Sequence, residues 1–306
     1  MLIHTFYRIP LKTALFHDIR ELFCHLHTVV QVRRVWCACV LLPVLSPAAL
    51  ALQDEPRSER FYWEQYNRNI SIVGLSLNQS YVEQDTSGRT ADGVFNSESG
   101  RVSGYGAQAR WQGTIADLLP VWSQLSSSLV TGQTDYNGYT QSGALLTPLK
   151  ARTGNEWQRH ALQVGLPVQP MEPLQLVPYV AWTEQRWQRN LLQYGETYRY
   201  STQSSGILAQ WRMQPAWVLE VDYQRSYQTQ ARLSAPILGF DAALPGATSQ
   251  STALALRYAP STRWSLFAEV VHSRLHSEAS VVINNLQAPP ARTDQSTWSL
   301  GLSLHY

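Results

Sequence analysis

The clearest strand signal in the sequence is its final segment, which reads Trp298-Ser299-Leu300-Gly301-Leu302-Ser303-Leu304-His305-Tyr306. Apolar or aromatic side chains stand at every second position, and small or polar ones stand between them. Successive side chains of a β-strand point to opposite faces, so this pattern gives one apolar face and one small, polar face. The segment therefore predicts a strand that lies against lipid or a protein core on one side only.

The same period of two recurs from about residue 70 onward. The apolar set of the first such segment is Val73, Leu75, Leu77 and Tyr81, and further sets run through 105–111, 217–223 and 254–258. Clusters of Gly, Ser, Asn, Asp and Pro separate the segments, as turn residues do. The candidate strands are 70–82, 103–112, 121–132, 156–166, 176–188, 198–212, 217–228, 250–258, 263–274 and 295–306. We predict an all-β fold of about ten antiparallel strands, with eight or twelve as alternatives.

The lengths of the connections favour a closed membrane barrel over a soluble β-sandwich. Connections are short or medium at one end, at 113–120, 167–175, 213–216 and 259–262. At the other end they are long, at 83–102, 133–155, 229–249 and 275–294. Short turns opposite long loops are typical of transmembrane up-and-down barrels. Five tryptophans near the short-turn ends would form an interfacial girdle: Trp111, Trp122, Trp211, Trp217 and Trp264.

The first 51 residues contain a secretory signal. Arg33 and Arg34 precede an apolar stretch, 35–45, that is too short to span a bilayer, and Ala49-Leu50-Ala51 has the small-x-small form of a cleavage site. We expect 32–51 to be the functional signal, translation to begin near Val32, and cleavage to follow Ala51. The three cysteines, Cys24, Cys37 and Cys39, all lie in this leader, so the mature chain is predicted to contain no thiol.

The leader, the alternating segments and the aromatic end of the final strand together resemble a Gram-negative outer-membrane β-barrel. In lipid every backbone N–H and C=O must be paired, and a closed sheet achieves this without an edge. The resemblance implies a barrel over 70–306, a periplasmic tail over 52–69, and localisation in the outer membrane among its lipids and lipopolysaccharide. The apolar residues of the final strand resemble the signal that the barrel-assembly machinery recognises: Trp298, Leu300, Leu302, Leu304 and Tyr306.

Composition excludes several other classes of protein. Charged residues make up 15% of the chain, and the net charge of +2 is spread without a basic stripe, which argues against nucleic-acid binding. After the first fifty residues there is no apolar run long enough for a membrane-spanning helix. We find neither a zinc-ligand cluster nor a glycine-rich phosphate loop, and we expect no cofactor.

Charged residues on the predicted inward face are balanced. Three cations, Arg110, Arg212 and Arg257, are predicted to meet three anions, Glu220, Asp222 and Glu269, with Glu184 and Arg186 as a further pair. A ten-strand barrel has a narrow interior that side chains nearly fill. This predicts a non-catalytic structural barrel or a narrow pore with a charge-paired lumen. The same residues also allow a more specific prediction, a small porin-like pore that admits anions or another small solute.

A surface-binding role is the first alternative. Residues 133–143 and the group Tyr194, Tyr198 and Tyr200 combine Tyr with Ser, Gly and Asn, a composition common at binding surfaces. If these segments are extracellular loops, the barrel could be an adhesin that binds a glycan, lipopolysaccharide or host matrix.

A hydrolase at the rim is the second alternative. Omptin-type proteases also have ten strands, but they use acidic pairs with an Asp–His couple, and here only the strand count matches. Asp85, Asp92, Asp135 and Asp294 stand isolated in predicted loops. His160 is predicted to point outward, His272 and His276 are too far apart along a strand to share a metal ion, and His305 lies at the periplasmic rim. No catalytic residue is therefore assigned.

Overall fold

The computed structural model describes residues 59–116, 118–142, 145–192, 194–283 and 286–306. The predicted leader and the first residues of the tail lie outside these ranges. One short helix, α1 (Glu59–Tyr66), precedes the strands β1 (Asn69–Gln84), β2 (Val94–Ile115), β3 (Leu119–Ser142), β4 (Leu145–Gly165), β5 (Val168–Met171), β6 (Leu174–Leu191), β7 (Tyr194–Gln214), β8 (Trp217–Ala235), β9 (Phe240–Leu244), β10 (Thr248–Tyr258), β11 (Trp264–Ser277) and β12 (Ala291–His305). Within the described residues no helix is long and apolar enough to cross a bilayer.

Ten of these strands close into one antiparallel barrel. Each long strand pairs with the next, β8 pairs directly with β10, and β12 returns to pair with β1 through contacts such as Leu304 with Ile70. The short β5 and β9 are additional hairpin arms that pair with β6 and β8. The prediction of a closed ten-strand barrel is confirmed, and closure leaves no unpaired sheet edge for lipid to meet.

The strands are longer than a membrane requires. β3 has 24 residues and β2 has 22, whereas about 9–11 residues suffice to span the hydrocarbon core. Much of the predicted long connections 83–102, 133–155 and 229–249 is therefore strand, and the loop prediction is wrong there. Above the membrane the outer face meets water, so apolar alternation disappears while backbone pairing continues.

The lower outer wall carries an apolar band. Outward side chains there are exposed because nothing in the protein covers them, for example Ile72 at 72% and Leu300 at 71%. All five apolar residues of the final segment lie on this wall. Trp211 and Trp264 are exposed at its lower margin, but Trp122 is buried in the lumen against Tyr179, so its predicted place in the girdle is wrong.

In β1 the main set of alternating apolar residues points into the barrel rather than toward lipid. Val73, Leu77 and Tyr81 are buried inside the barrel, whereas Ile70 and Ile72 of the opposite parity face outward. The lumen has an apolar and aromatic core of its own, so both faces of β1 attract apolar residues. An alternation of apolar residues with a period of two predicts a strand here, but it does not identify which of the two faces lies against lipid.

Candidate functional site

The end of the lumen that carries the short turns, which was predicted to be the periplasmic end, is covered by the segment that the sequence predicted to be a tail. Trp63 and Tyr66 of α1 are buried and pack with Val218 of β8. Asn67, which follows the helix, is fully buried. The Tyr66 hydroxyl donates a hydrogen bond to Glu220 Oε1 at 3.1 Å. This part of the tail is therefore a structural element of the barrel rather than a free extension.

Glu220 lies between two arginines at this end of the lumen. Arg110 Nη1 contacts Glu220 Oε1 at 2.6 Å, and Arg257 Nε donates to Glu220 Oε2 at 2.9 Å. The three side chains are at most 5% exposed. Arg257 also donates to Ser303 Oγ at 3.2 Å and lies over the Phe267 ring at 4.1 Å. Both carboxylate oxygens are used, and each guanidinium has a further partner.

A layer of amide side chains lies beside this ion triad. Asn67 donates to both Gln112 and Gln210, and Gln175 donates to the same two residues at 2.9 Å. Gln210 donates in turn to Glu220 Oε1 at 2.7 Å, which joins the amide layer to the ion triad. Sequence reasoning missed this layer. Its only signal was that Gln112, Gln175 and Gln210 stand at inward positions near the short-turn ends.

Three other predicted lumen charges lie near this layer without joining the triad. Asp222 and Glu269 line a small cavity of about 30 Å³ together with Arg110 and Glu220, and Asp222 accepts a hydrogen bond from the Tyr179 hydroxyl at 2.6 Å. Arg212 instead lies 3.6 Å from Glu172 at the rim and over the Tyr62 ring at 4.6 Å. Its predicted meeting with the lumen anions is wrong because it is near the end of β7, beside α1.

Glu184 and Arg186 were predicted to face the lumen, and this is wrong. Both are exposed on the outer wall, where Glu184 accepts a hydrogen bond from the Ser201 hydroxyl at 2.5 Å. The inward positions of β6 are the odd-numbered ones, because Trp187 and Arg189 fill the lumen. Above the membrane both faces of β6 carry polar side chains, so charge alone does not identify the inward face.

The extracellular half of the lumen is filled by aromatic rings. Trp157 stacks on Trp187 with ring centroids 4.4 Å apart, Trp187 stacks on Tyr198 at 4.8 Å, and Tyr81 meets the Trp187 ring edge-on at 5.1 Å. Tyr200 continues the row beyond Tyr198. Tyr198 and Tyr200 were predicted to lie on an exposed surface, and this is wrong for both because their strand turns them inward. The side chain of Tyr194 lies outside the described part.

One buried arginine anchors these rings. Arg189 contacts Glu98 at 2.8 Å and Glu196 at 2.6 Å, and its guanidinium lies over the rings of Tyr81 and Trp187. Sequence reasoning missed this second charge cluster because β7 and the upper part of β2 read as loop and strand ends. The arginine offsets part of the negative charge of the two glutamates, and its own side chain is only 4% exposed.

An apolar layer lies next to the aromatic rings at the extracellular end of the lumen. The β8–β9 hairpin and the segment before β12 contribute buried small and apolar side chains to the same cluster as the aromatic rings: Ala231, Leu233, Ala235, Phe240, Ala242, Leu244, Ala288 and Ala291. The backbone N–H of Glu278 donates to the carbonyl of Pro245, which joins the two segments. The described residues thus place buried side chains in both the periplasmic and the extracellular part of the lumen.

The histidines do not assemble a catalytic couple in the described part of the chain. His160 points outward beside Glu184 across the β4–β6 pair, and His272 contacts Ser296 on the outer wall. His305 lies near Ser265 Oγ at 2.9 Å. The aspartates have other partners: Asp135 faces Arg152, and Asp294 contacts both Arg274 and Arg292. Among the described residues no group of three His, Cys, Asp or Glu side chains could hold a metal ion.

Comparison with known proteins identifies the fold. No protein-family model matches the chain, and no curated protein matches it. The structure is similar to that of the outer-membrane protease OmpT from Escherichia coli, with 11% sequence identity, 78% of this chain and 96% of that chain covered, and a TM-score of 0.57. It also matches Ail of Yersinia pestis (9% identity, 78% and 99% covered, TM-score 0.29) and the neisserial surface protein NspA (8% identity, 78% and 97% covered, TM-score 0.30). The fold is that of a Gram-negative outer-membrane β-barrel.

Proposed function

We propose that this protein is a closed, non-catalytic barrel that has a structural role in the outer membrane and conducts no solute. The observation that carries the proposal is the position of Glu220, whose carboxylate is held by Arg110 and Arg257 beneath α1. The triad contains two cations and one anion, and hydrogen bonds hold each group to its neighbours, so an ion passing this layer would have to displace them.

Permeation through the periplasmic half would require breaking this network. Removing one partner from a buried ion pair costs about 3–5 kcal/mol because the other charge is left uncompensated. The cavity beside the triad, about 30 Å³, has room for only a few water molecules. A continuous file of water through this layer would need Asn67 and the glutamines to separate.

The extracellular half supports the same proposal. The stacked rings of Trp157, Trp187 and Tyr198 and the apolar layer above them fill the space that a pore would need. The proposal of a non-catalytic role is supported by the outward position of His160 and His272, away from the Asp222–Glu269 cavity. The likeness to the protease OmpT is one of fold.

Conductance measurement in planar bilayers tests this proposal. We expect the purified barrel to insert without discrete conductance steps, while an open porin in the same bilayers conducts. A Glu220→Gln variant should also remain silent, because the aromatic half still blocks the lumen. Discrete steps in the wild type, with a reversal potential that shifts in Glu220→Gln, would instead establish a narrow ion pore.

We also propose that β12 is the element by which the assembly machinery recognises the chain. β12 closes the barrel against β1, and the backbone N–H of Tyr306 donates to the carbonyl of Arg68 at 3.1 Å. Tyr306→Ala should slow insertion by purified assembly machinery while spontaneous refolding into detergent stays nearly unchanged. Equal slowing in both assays would mean that Tyr306 acts in folding alone.

A further inference from the structure

A groove of about 580 Å³ lies on the outer wall of the barrel, above the apolar band. Three neighbouring strands supply its polar side chains: Ser97 and Ser99 from β2, Asp135 and Asn137 from β3, and Lys150 and Arg152 from β4. It is separate from the lumen, because these positions have the outward parity of their strands.

Strand pairing arranges these side chains in two rows. Ser97, Asn137 and Lys150 are direct cross-strand partners, and so are Ser99, Asp135 and Arg152. Side chains directly opposite on one face of a sheet lie about 4.5–5.5 Å apart at Cβ. The groove thus presents hydroxyl, amide, carboxylate and guanidinium groups at the spacing of adjacent groups on a small polar ligand.

The groove carries an unneutralised positive charge. Asp135 faces Arg152 at 3.7 Å, and both are largely exposed. Lys150 is exposed and forms no ion pair within the described ranges, and it is the only lysine after residue 51. Because Asp135 is offset by Arg152, Lys150 leaves the groove with a net positive charge, which favours an anionic ligand.

Aromatic rings lie next to the polar rows. Phe95 and Tyr139, two residues beyond Ser97 and Asn137 on the same strands, stack with ring centroids 6.4 Å apart, and Arg89 lies over the Phe95 ring at 5.7 Å. Rings offer flat apolar surface against which the C–H face of a sugar ring can pack, while hydroxyl, amide and carboxylate groups bond sugar hydroxyls.

The height of the groove identifies the source of such a ligand. Asp135 is six residues beyond Leu129 on β3, and outward positions between them are Thr131 and Gln133. At 3.3 Å per residue and the usual strand tilt, the groove lies about 15 Å above the apolar band. Its polar side chains have the outward parity of their strands, so they face the surroundings of the barrel, where the sugar headgroups of neighbouring glycolipids would lie, rather than the lumen.

We infer that this groove binds an acidic saccharide, the sugar headgroup of an outer-leaflet lipopolysaccharide. Lys150 contacts an anionic substituent, Asn137 and the serines bond hydroxyl groups, and the aromatic pair contacts a sugar face. The inference does not depend on whether the lumen is closed, because the site is on the opposite side of the barrel wall.

Binding of defined glycolipids to the barrel in detergent micelles tests this inference. The probes are lipopolysaccharide that retains its core sugars, the same lipid without the core, and a soluble sulfated oligosaccharide. Lys150→Gln should raise the Kd for the core-bearing lipid at least tenfold, and Asn137→Ala should raise it less. The matched control is Arg274→Gln, an exposed outer-wall cation that already contacts Asp294, and it should leave the Kd unchanged.

Three results would overturn the inference. The first is equal affinity for the lipid with and without its core sugars, which would assign binding to the acyl chains or lipid phosphates. The second is an unchanged Kd in both groove variants when circular dichroism shows that they are folded. The third is tighter binding of the soluble sulfated oligosaccharide than of the core-bearing lipid, lost in Lys150→Gln, which would make the groove a site for saccharides from solution.

Discussion

Arg257 donates from Nε to Glu220 Oε2 across 2.9 Å inside the barrel, where the two side chains are 2% and 3% exposed. Arg110 contacts the other carboxylate oxygen, so two cations share one anion. Asp222 and Glu269 lie near enough to line the same cavity as Arg110 and Glu220. We therefore expect the stability of the periplasmic half to depend strongly on the Glu220 carboxylate, which both arginines contact.

Glu220→Gln should destabilise the barrel by about 3–5 kcal/mol, because it leaves two buried guanidiniums without their counter-charge. A urea unfolding titration in lipid vesicles measures the change. Glu184→Gln is the matched control, since that carboxylate is exposed on the outer wall and should change stability by less than about 0.5 kcal/mol. Equal effects of the two substitutions would mean that water reaches Glu220 freely.

Leu302→Arg should cost about 2–4 kcal/mol if Leu302 lies near the bilayer midplane. Leu302 is 44% exposed on the outer wall and is the central residue of the apolar run 298–306. Ser80→Arg places the same side chain on the outer wall above the band, opposite Asp294, and should be tolerated. The same vesicle titration compares them, and a tolerated Leu302→Arg would place the apolar band elsewhere.

Trp187→Ala should destabilise the barrel by about 3–5 kcal/mol, since it removes a fully buried ring from the centre of the stack. The Trp157–Trp187 contact should give a coupling of about 0.5–1.5 kcal/mol in a double-mutant cycle. Trp211, which is 48% exposed on the outer wall, provides the control for loss of a tryptophan without loss of lumen packing. Additive effects of the Trp157 and Trp187 substitutions would contradict direct stacking.

Asp85 makes the turn between β1 and β2 sensitive to acid. Hydrogen bonds from the Ser87 side chain and from the backbone and side chain of Thr90 hold the pKa of the Asp85 carboxyl below its usual range. A carboxyl with a lowered folded pKa stabilises the turn above its unfolded pKa, and this contribution is lost as the pH falls through the folded value.

Amide exchange at Ser87 and Thr90, corrected for the intrinsic rate at each pH, measures this effect. We expect protection at both amides to decrease as the pH falls below the ordinary range of an aspartate. Asp85→Asn should show weaker protection that no longer depends on pH. Protection that falls equally in wild type and variant would assign the acid sensitivity to another group.

The sequence by itself determined the closed barrel of about ten strands and the outward face of the final strand, and the structure established the count of ten. Leu300 and Leu302 alternate with small polar residues, and this contrast identifies the lipid face wherever one side of a strand meets hydrocarbon and the other a polar lumen. Arg110, Glu220 and Arg257 could be assigned to the inward face for the same reason, because each alternates with apolar neighbours inside the band.

Where that contrast is absent, only the tertiary structure shows which way the side chains of a strand point. Tyr81 faces an aromatic lumen, and Glu184 and Arg186 face water, because above the band both sides of the wall can accept either kind of residue. The position of Trp63 and Tyr66 under Glu220, and the convergence of Glu98 on Arg189 from distant strands, depend on closure of the barrel. Periodicity along one strand reports the environment of its two faces, whereas contacts across the lumen depend on which strands stand opposite one another.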